Sequence, residues 1–344
     1  MPENIPFAHL HVHTEYSLLD GANRIKPLVA RVKEMGMEYI AITDHGNMFG
    51  IMDFYKTCKA EGVNPVIGCE VYVAPRDRHE QYEVEGTRYY HLILLAENNE
   101  GYKNLVQLVS RANTEGMYYK PRVDKELLRK YSKGLICLSA CIAGEVPAWI
   151  IRGDMYRAEK ALQEYLEIFG PENYFIEIQN HGMAEEKIAM DGIIPLAKKY
   201  NLGLVATNDA HYLKKEDSEF HEVLLCIQTG KTLDDPNRMK FSSDDYYLKS
   251  PEEMAGIFRE YPEAIANTVK IASRCHVEFD FDHRHLPLFP LPEGMTDEMY
   301  LRKLCEDNLA EKYDVITPEV KQRLEYELGV IHSMGFDSYF LIVW

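Results

Sequence analysis

IKPLVARVKEMG, residues 25–36, is followed almost at once by YIAITD, residues 39–44. The first stretch has a helical apolar period and stops at a glycine. The second is a short apolar, strand-like run. A helix feeding a strand across so few residues predicts a repeating α/β unit. Six more strand-like runs follow the same logic: FAHLHV (7–12), PVIGCEVYV (65–73), YYHLILLA (89–96), GLICLSA (134–140), YFIEIQ (174–179) and LGLVATND (202–209). Helical periodicity returns between them at 102–113, 155–170 and 185–200, where Ile188, Ile193, Leu196 and Ala197 predict one apolar face. Gly36, Gly62 and Gly170 stand where three helices should end in left-handed caps. Strands alternating with helices predict a mostly parallel sheet, and seven of them predict a closed or nearly closed barrel.

The character changes after about residue 275. HVEFDFDHRHLPLFPLPEGM (276–295) has three prolines and no helical period, so it reads as a linker. Residues 297–333 predict two helices, and SYFLIVW (338–344) begins an apolar run that reads as a strand. The expected division is a barrel over 1–280 and a linker with an α-rich extension over 281–344. A domain rarely ends inside such a run, so a longer parent protein is expected.

The chain of 344 residues has 38 Lys and Arg against 55 Asp and Glu, a net charge of −17. That balance argues against tracking along nucleic acid by phosphate neutralisation alone. The N-terminus, MPENIPFAHLHVH, has no basic segment followed by an apolar one, and no apolar run is long enough to span a bilayer. The expectation is a cytoplasmic location with no membrane partner. Seven scattered cysteines, an odd number, predict free thiols rather than disulfides.

Ionisable residues collect where the strand-like runs end. HLHVH (9–13) places His9, His11 and His13 on one face of a strand. Two histidines two apart suit one metal, although an isolated pair is also what a solvent-facing strand would show. Asp20 sits in the turn-like SLLDG. ITDHG ends a strand with Asp44 and His45, Asp44 being placed either to orient a ligating histidine or to cap a helix. Glu70 interrupts an apolar strand, which is costly unless the carboxylate is paired or binds a metal. Cys141 ends GLICLSAC, and NDAH carries Asp209 and His211. His91 begins its strand instead of ending it, so a shared mouth requires 65–96 to double back. Gln179 and His181, in IQNHG, are candidate substrate contacts. Barrel folds keep their chemistry at strand C-termini, which would send these side chains to one face.

The set HxH, the Asp of LLDG, TDH, an in-strand Glu, a His, a Cys and NDxH together resembles the polymerase and histidinol phosphatase (PHP) family. The surrounding sequence, HTEYSLLDGANRIKPLV, AITDHGNMFGIMDFYK, FIEIQNHG, ATNDAHY, TLDDPNRMKF and MGFDSYFLIVW, is similar to the N-terminal region of the bacterial DNA polymerase III alpha-subunit family. The resemblance implies a distorted seven-stranded, TIM-like (β/α) barrel carrying up to three divalent metals, zinc or manganese. Its nine ligand slots fall on His11, His13, Asp20, His45, Glu70, His91, Cys141, Asp209 and His211. One metal would take His11, His13, Glu70 and Asp209; a second Glu70, His91 and Cys141; a third Asp20, His45 and His211. Glu70, Asp209 and His211 are the expected catalytic residues. Three divalent ions against three carboxylates and a thiolate would make the pocket cationic despite the overall charge.

The implied activity is phosphoester hydrolysis, for polymerase-linked members 3′→5′ exonuclease proofreading. The implied partners are DNA 3′ ends or phosphate esters, the rest of the alpha subunit and replisome proteins. Residues after about 285 would begin the polymerase palm, without its catalytic aspartates. Three alternatives stay open: a small-molecule phosphomonoesterase, a mainly structural metal-stabilised module, and an amidohydrolase-type barrel. The last usually carries a strand-borne lysine bridging its metals, and none of the seven runs has a lysine near its end.

Overall fold

The computed structural model describes residues 5–282 and 287–344. The chain forms two compact units, Met1–Glu278 and Phe279–Trp344. The first contains the strands β1 (Tyr39–Ile42), β2 (Asn64–Val73), β3 (Tyr90–Ala96), β4 (Met117–Tyr118), β5 (Lys120–Val123), β6 (Leu135–Leu138), β7 (Tyr174–Ile178) and β8 (Leu204–Ala206). Its helices are α1 (Ile25–Glu34), α2 (Ile51–Glu61), α3 (Asn99–Glu115), α4 (Lys125–Tyr131), α5 (Glu145–Ile151), α6 (Met155–Phe169), α7 (Ala184–Tyr200), α8 (Ser218–Thr229), α9 (Pro251–Ile257) and α10 (Pro262–Ala272).

The sheet runs β1–β2–β3–β6–β7–β8. The first expected strand, 7–12, makes single bridges rather than a ladder: His9 pairs with Ile40 of β1, and Val12 with Ala210 just beyond β8. Those two bridges join the ends of the sheet and make a distorted barrel of seven staves. The expectation of a mostly parallel sheet needs one correction. β3 is antiparallel to both its neighbours, β2 and β6. Its N-terminal end therefore lies with the C-terminal ends of the other strands. Gly68 lets β3 come close, since a Cβ there would sit 2.8 Å from the Leu94 carbonyl oxygen.

The short strands β4 and β5 had no signal in the sequence. β5 pairs with β2 at Tyr72 and Val73, on the edge that β1 and His45 occupy lower down. This hairpin thus stands above the end of β1, at the barrel mouth.

Strand periodicity sorts the interior into two layers. Val66, Ile93, Leu95, Phe175 and Val205 belong to one buried apolar cluster. Two or four residues nearer the mouth, on the same faces, stand Glu70, His91, Glu177 and Asp209. The opposite end is closed by α10, whose Ile271 and Ala272 join the apolar cluster. Arg274, just after it, binds Glu97 and the Glu172 carbonyl.

In α7 the buried face is Ala189, Ile193, Leu196 and Ala197. Ile188, expected on that face, is exposed, because it sits one helical position away from Ala189. All seven cysteines are free.

The second unit contains α11 (Asp297–Asp307), α12 (Leu309–Lys312), α13 (Pro318–Ser333) and α14 (Asp337–Val343), with Leu301, Leu328 and Leu341 at its centre. SYFLIVW is therefore helical, not a strand. A short apolar run has no period to distinguish the two, and here Asp337 opens the helix in its first turn. Among the described residues no helix is long and apolar enough to cross a membrane.

Candidate metal centre

Every stave of the barrel delivers at least one ionisable or polar side chain to the mouth. The 7–14 segment supplies His11 and His13, and the turn after it supplies Asp20. That turn is tight: a Cβ on Gly21 would lie 1.8 Å from the Thr14 carbonyl oxygen. β1 hands over to His45, β2 carries Glu70, and β3 carries His91 at its reversed end. Cys141 follows β6, and Asp209 and His211 follow β8. Two of these turns use left-handed backbone at residues other than glycine, Ala140 (φ +62°) and Asp209 (φ +45°). Such strain persists where the surroundings enforce it, and it collects at functional sites.

All nine side chains form one connected cluster. His11 Nε2 and His13 Nε2 are 3.2 Å apart. Asp209 Oδ1 lies 3.1 Å from each of them. Glu70 reaches them at 3.6 and 3.4 Å. Glu70 also meets His45 Nδ1 at 2.6 Å and His91 Nδ1 at 2.8 Å, so His91 does return beside Glu70. Asp20 lies 3.3 Å from His45 and 3.8 Å from His211. Cys141 stands farther out, its Sγ 3.9 Å from His91 Nδ1. In three triads, His11–His13–Glu70, His45–Glu70–His91 and His13–His45–His211, the potential ligand atoms all lie within 4.8 Å of one another. The first contains three of the four residues of the expected group, without Asp209. In the other two His45 and His13 take the places expected for Cys141 and Asp20.

The hydrogen-bond network fixes the tautomers. His11 Nδ1 donates to Glu177 Oε1 at 2.6 Å. Ser17 Oγ donates to Asp44 Oδ1 and therefore accepts from His13 Nδ1, at 2.9 Å. His211 Nδ1 donates to the Asp209 carbonyl. Each of these three rings thus turns its Nε2 toward the cluster, where it can serve as a ligand once deprotonated. Four buried atoms there have no aligned hydrogen-bond partner: Asp20 Oδ1, His45 Nδ1, Glu70 Oε2 and Asp209 Oδ1. The 2.6 Å approach of His45 to Glu70 belongs to this set, being close but out of line.

Electrostatics point the same way. Burial alone would raise the carboxyl pKa values, yet His91 and His45 hold Glu70 well below the usual range. His45 and His211 do the same to Asp20, as do His11 and His211 to Asp209. Burial, then the facing His45 and His211, lowers His13 to about 3. Burial opposes protonation of His11, but Asp209, Glu177 and Glu70 outweigh it and raise it to about 10. Burial and the Glu70 and Asp209 charges push the Cys141 thiol up.

Anionic oxygens and imidazole nitrogens packed this closely repel one another unless positive charge, protons on the rings or a metal cation, lies among them. Ligand atoms around a tetrahedral zinc stand ~3.4 Å apart, from bonds of ~2.1 Å. His11 Nε2, His13 Nε2 and Asp209 Oδ1 stand 3.1–3.2 Å apart, close to that edge, with Glu70 Oε1 3.6 Å from His11 and Glu70 Oε2 3.4 Å from His13. The residues present fit a divalent metal.

Other candidates fall elsewhere. His9 is buried and uses Nε2 on the Lys249 carbonyl. Asp44 does not cap a helix: it accepts from Thr14 and Ser17, and so supports His13 through Ser17. Gln179 donates to Glu177 and Thr207. His181 spends both nitrogens on Glu186 and the Asn208 carbonyl and stacks on Tyr246 at 3.9 Å. Glu177 was absent from the sequence-derived candidates, although it carries the same signal as Glu70, a carboxylate within an apolar strand.

Comparison with known proteins identifies the family. The PHP domain model matches residues 9–181, about half of the chain. A model described as the bacterial DNA polymerase III alpha NTPase domain matches residues 299–344. The DNA polymerase III subunit alpha of Treponema pallidum is 51% identical over 340 residues, covering 98% of this chain and 29% of that protein. That of Thermus aquaticus is 42% identical over 407 residues, covering 100% and 33%. The chain thus spans about a third of the length of these relatives. A solved two-domain protein from Bacteroides vulgatus, containing a predicted PHP-like metal-dependent phosphoesterase, aligns at 12% identity and a TM-score of 0.37, over 81% of this chain and 72% of that one. By its family match and its relatives, the chain belongs to the PHP domain family, on the branch similar to bacterial DNA polymerase III alpha subunits.

Proposed function

We propose that this barrel is a metal-dependent phosphoesterase acting on DNA 3′ ends, a 3′→5′ exonuclease within a longer replicative polymerase. The observation that carries the reading is the set of buried, unaligned potential ligand atoms, Asp20 Oδ1, His45 Nδ1, Glu70 Oε2 and Asp209 Oδ1, packed among histidine rings.

Nine residues would hold up to three cations, zinc at the nitrogen- and sulfur-rich positions or manganese at the oxygen-richer ones. The ligands are His11, His13, Asp20, His45, Glu70, His91, Cys141, Asp209 and His211. Bound divalent cations supply two things: a water whose pKa falls to ~7, and positive charge for the attacked phosphate and its leaving oxygen.

The rest is the work of the chain itself. Glu70 has two oxygens turned to different histidines and is placed to bridge two positions. Asp209, held by its own strained backbone, presents Oδ1 between His11 and His13. Glu177 and Ser17 hold those two rings in the ligating tautomer. His211 turns Nε2 toward Asp20. Buried His11, His13 and Glu70 form the floor, while His45, His91 and Cys141 are partly exposed, so a phosphoester approaches from their side.

Elemental analysis with a parallel assay on 3′-labelled single-stranded DNA and on a nitrophenyl phosphate tests the reading. Metal-dependent release of nucleotides supports it. Turnover of the nitrophenyl ester alone would assign a small-molecule phosphomonoesterase. Bound metal with no turnover of either would leave a structural module.

A further inference from the structure

Beside the cluster stands a wall that the metal chemistry does not use. Tyr89 stacks parallel to His91, with ring centroids 6.0 Å apart, and meets Tyr72 at 4.9 Å. Tyr72 in turn lies 5.9 Å from His45. Lys120 Nζ lies 5.5 Å from the Tyr72 ring, and among the described residues it has no carboxylate partner. Next to it, at the tip of the β4–β5 hairpin, Tyr119 holds φ +61° and is 65% exposed. Tyr119 is the turn residue between the paired Tyr118 and Lys120, so the hairpin requires its left-handed backbone, but a tyrosine is a costly choice where glycine or asparagine would serve, and the exposed ring marks a candidate for function. Arg88 lies over that ring at 4.0 Å, while also pairing with Glu83.

The wall is built rigid. Buried Arg122 donates to the carbonyls of Gly116, Arg78, Glu80 and Arg88, which ties the 76–88 loop to the hairpin. Below it, a Cβ on Gly46 would lie 2.9 Å from Pro121 and 3.0 Å from Tyr72, so the hairpin rests directly on the turn after His45.

Exposed aromatic faces interleaved with cations are the means by which proteins hold single strands without reading sequence: bases stack, and phosphates meet the charges. We propose that Tyr119, Lys120, Arg88 and Tyr89 form a binding subsite for single-stranded nucleic acid, leading a 3′ end to the cluster. This inference rests on the phosphoesterase reading above. It resolves the difficulty raised by the net charge of −17, because the grip is local to one rim.

The test uses the full chain and an oligothymidylate with a hydrolysis-resistant 3′-terminal phosphorothioate. Binding is followed by fluorescence anisotropy as a function of salt, and nitrophenyl ester turnover is followed in parallel. Tyr119→Asn removes the ring while tolerating the left-handed backbone, and Lys120→Gln removes the charge. The expectation is binding roughly 5- to 30-fold weaker for Tyr119→Asn. For Lys120→Gln the salt slope should fall by ~0.7. Turnover of the small ester should stay within about twofold of wild type in both, and Tyr119→Trp should restore binding. Wild-type affinity and salt slope in both variants would overturn the subsite, even if the protein hydrolyses DNA. Rim-dependent binding without any hydrolysis would keep the subsite and remove the exonuclease.

Discussion

Replacing Glu177 by Gln probes the centre without touching a proposed ligand. Glu177 is fully buried and accepts from His11 Nδ1 at 2.6 Å, Gln179 Nε2 at 3.0 Å and Thr207 Oγ1 at 2.5 Å. Glutamine keeps the volume and one acceptor but loses the charge. A hydrogen bond to a charged group is worth ~1.5–3 kcal/mol and a neutral one ~0.5–1.5, so the His11 contact weakens by about 1–1.5 kcal/mol. The His11 ring then becomes a poorer and less firmly oriented ligand. Loss of an outer partner of a ligating histidine typically costs about 10–100-fold in metal affinity, or ~1.4–2.7 kcal/mol, which agrees with the low end of that sum. Competition titration against a chromogenic chelator should therefore show the tightest site weakened about tenfold or more. The apo protein should melt somewhat lower than wild-type apo protein, because Glu177 stabilises the protonated His11 ring and accepts from Gln179 and Thr207, so metal affinity is compared at a temperature where both proteins are folded. An unchanged metal affinity in a folded Glu177→Gln variant would refute the tautomer argument.

Asp209→Asn should lose at least ~100-fold in phosphoester hydrolysis while folding normally, since asparagine accepts the left-handed backbone at that position; kinetics beside circular dichroism would check this. Removing metals with a chelator should lower the melting temperature. A cation at about 1,000 times its Kd contributes ~4 kcal/mol, about 8 °C per site for a unit of this size, and calorimetry with and without added metal would measure it. Gly21→Ala forces a Cβ to 1.8 Å from the Thr14 carbonyl, which must open the turn holding Asp20. The expected cost is ~2–4 kcal/mol in urea denaturation, together with the loss of about one metal equivalent.

Much of this architecture is legible in the sequence because strand and helix periods differ, and because a carboxylate or imidazole ending an apolar run is conspicuous. His45, Glu70 and the NDAH pair are such cases. The direction of β3 is not legible. An apolar run reads the same way up or down, and only His91, at the wrong end of its run, betrays the reversal. The 7–14 segment looks like a strand but makes single bridges, since it must join β1 to the region beyond β8 while turning His11 and His13 inward. The β4–β5 hairpin is too short to have a period, and its signal, Tyr119 in left-handed backbone, exists only in three dimensions. Glu177, a carboxylate within the apolar run YFIEIQ, carries the same signal as Glu70. SYFLIVW shows the limit of the reading: seven apolar or small residues fit a strand as well as the helix that α14 forms.

Nine side chains at one barrel mouth are proposed to hold divalent cations. The most direct test is metal content per chain, measured by elemental analysis after reconstitution with zinc or manganese and dialysis, for wild type beside a His13→Ala variant. Two to three equivalents are expected in the wild type, falling by at least one in the variant, with anomalous scattering from crystals locating them between His11, Glu70 and His211. Less than one equivalent in both, or equal content with the metal bound elsewhere, would contradict it.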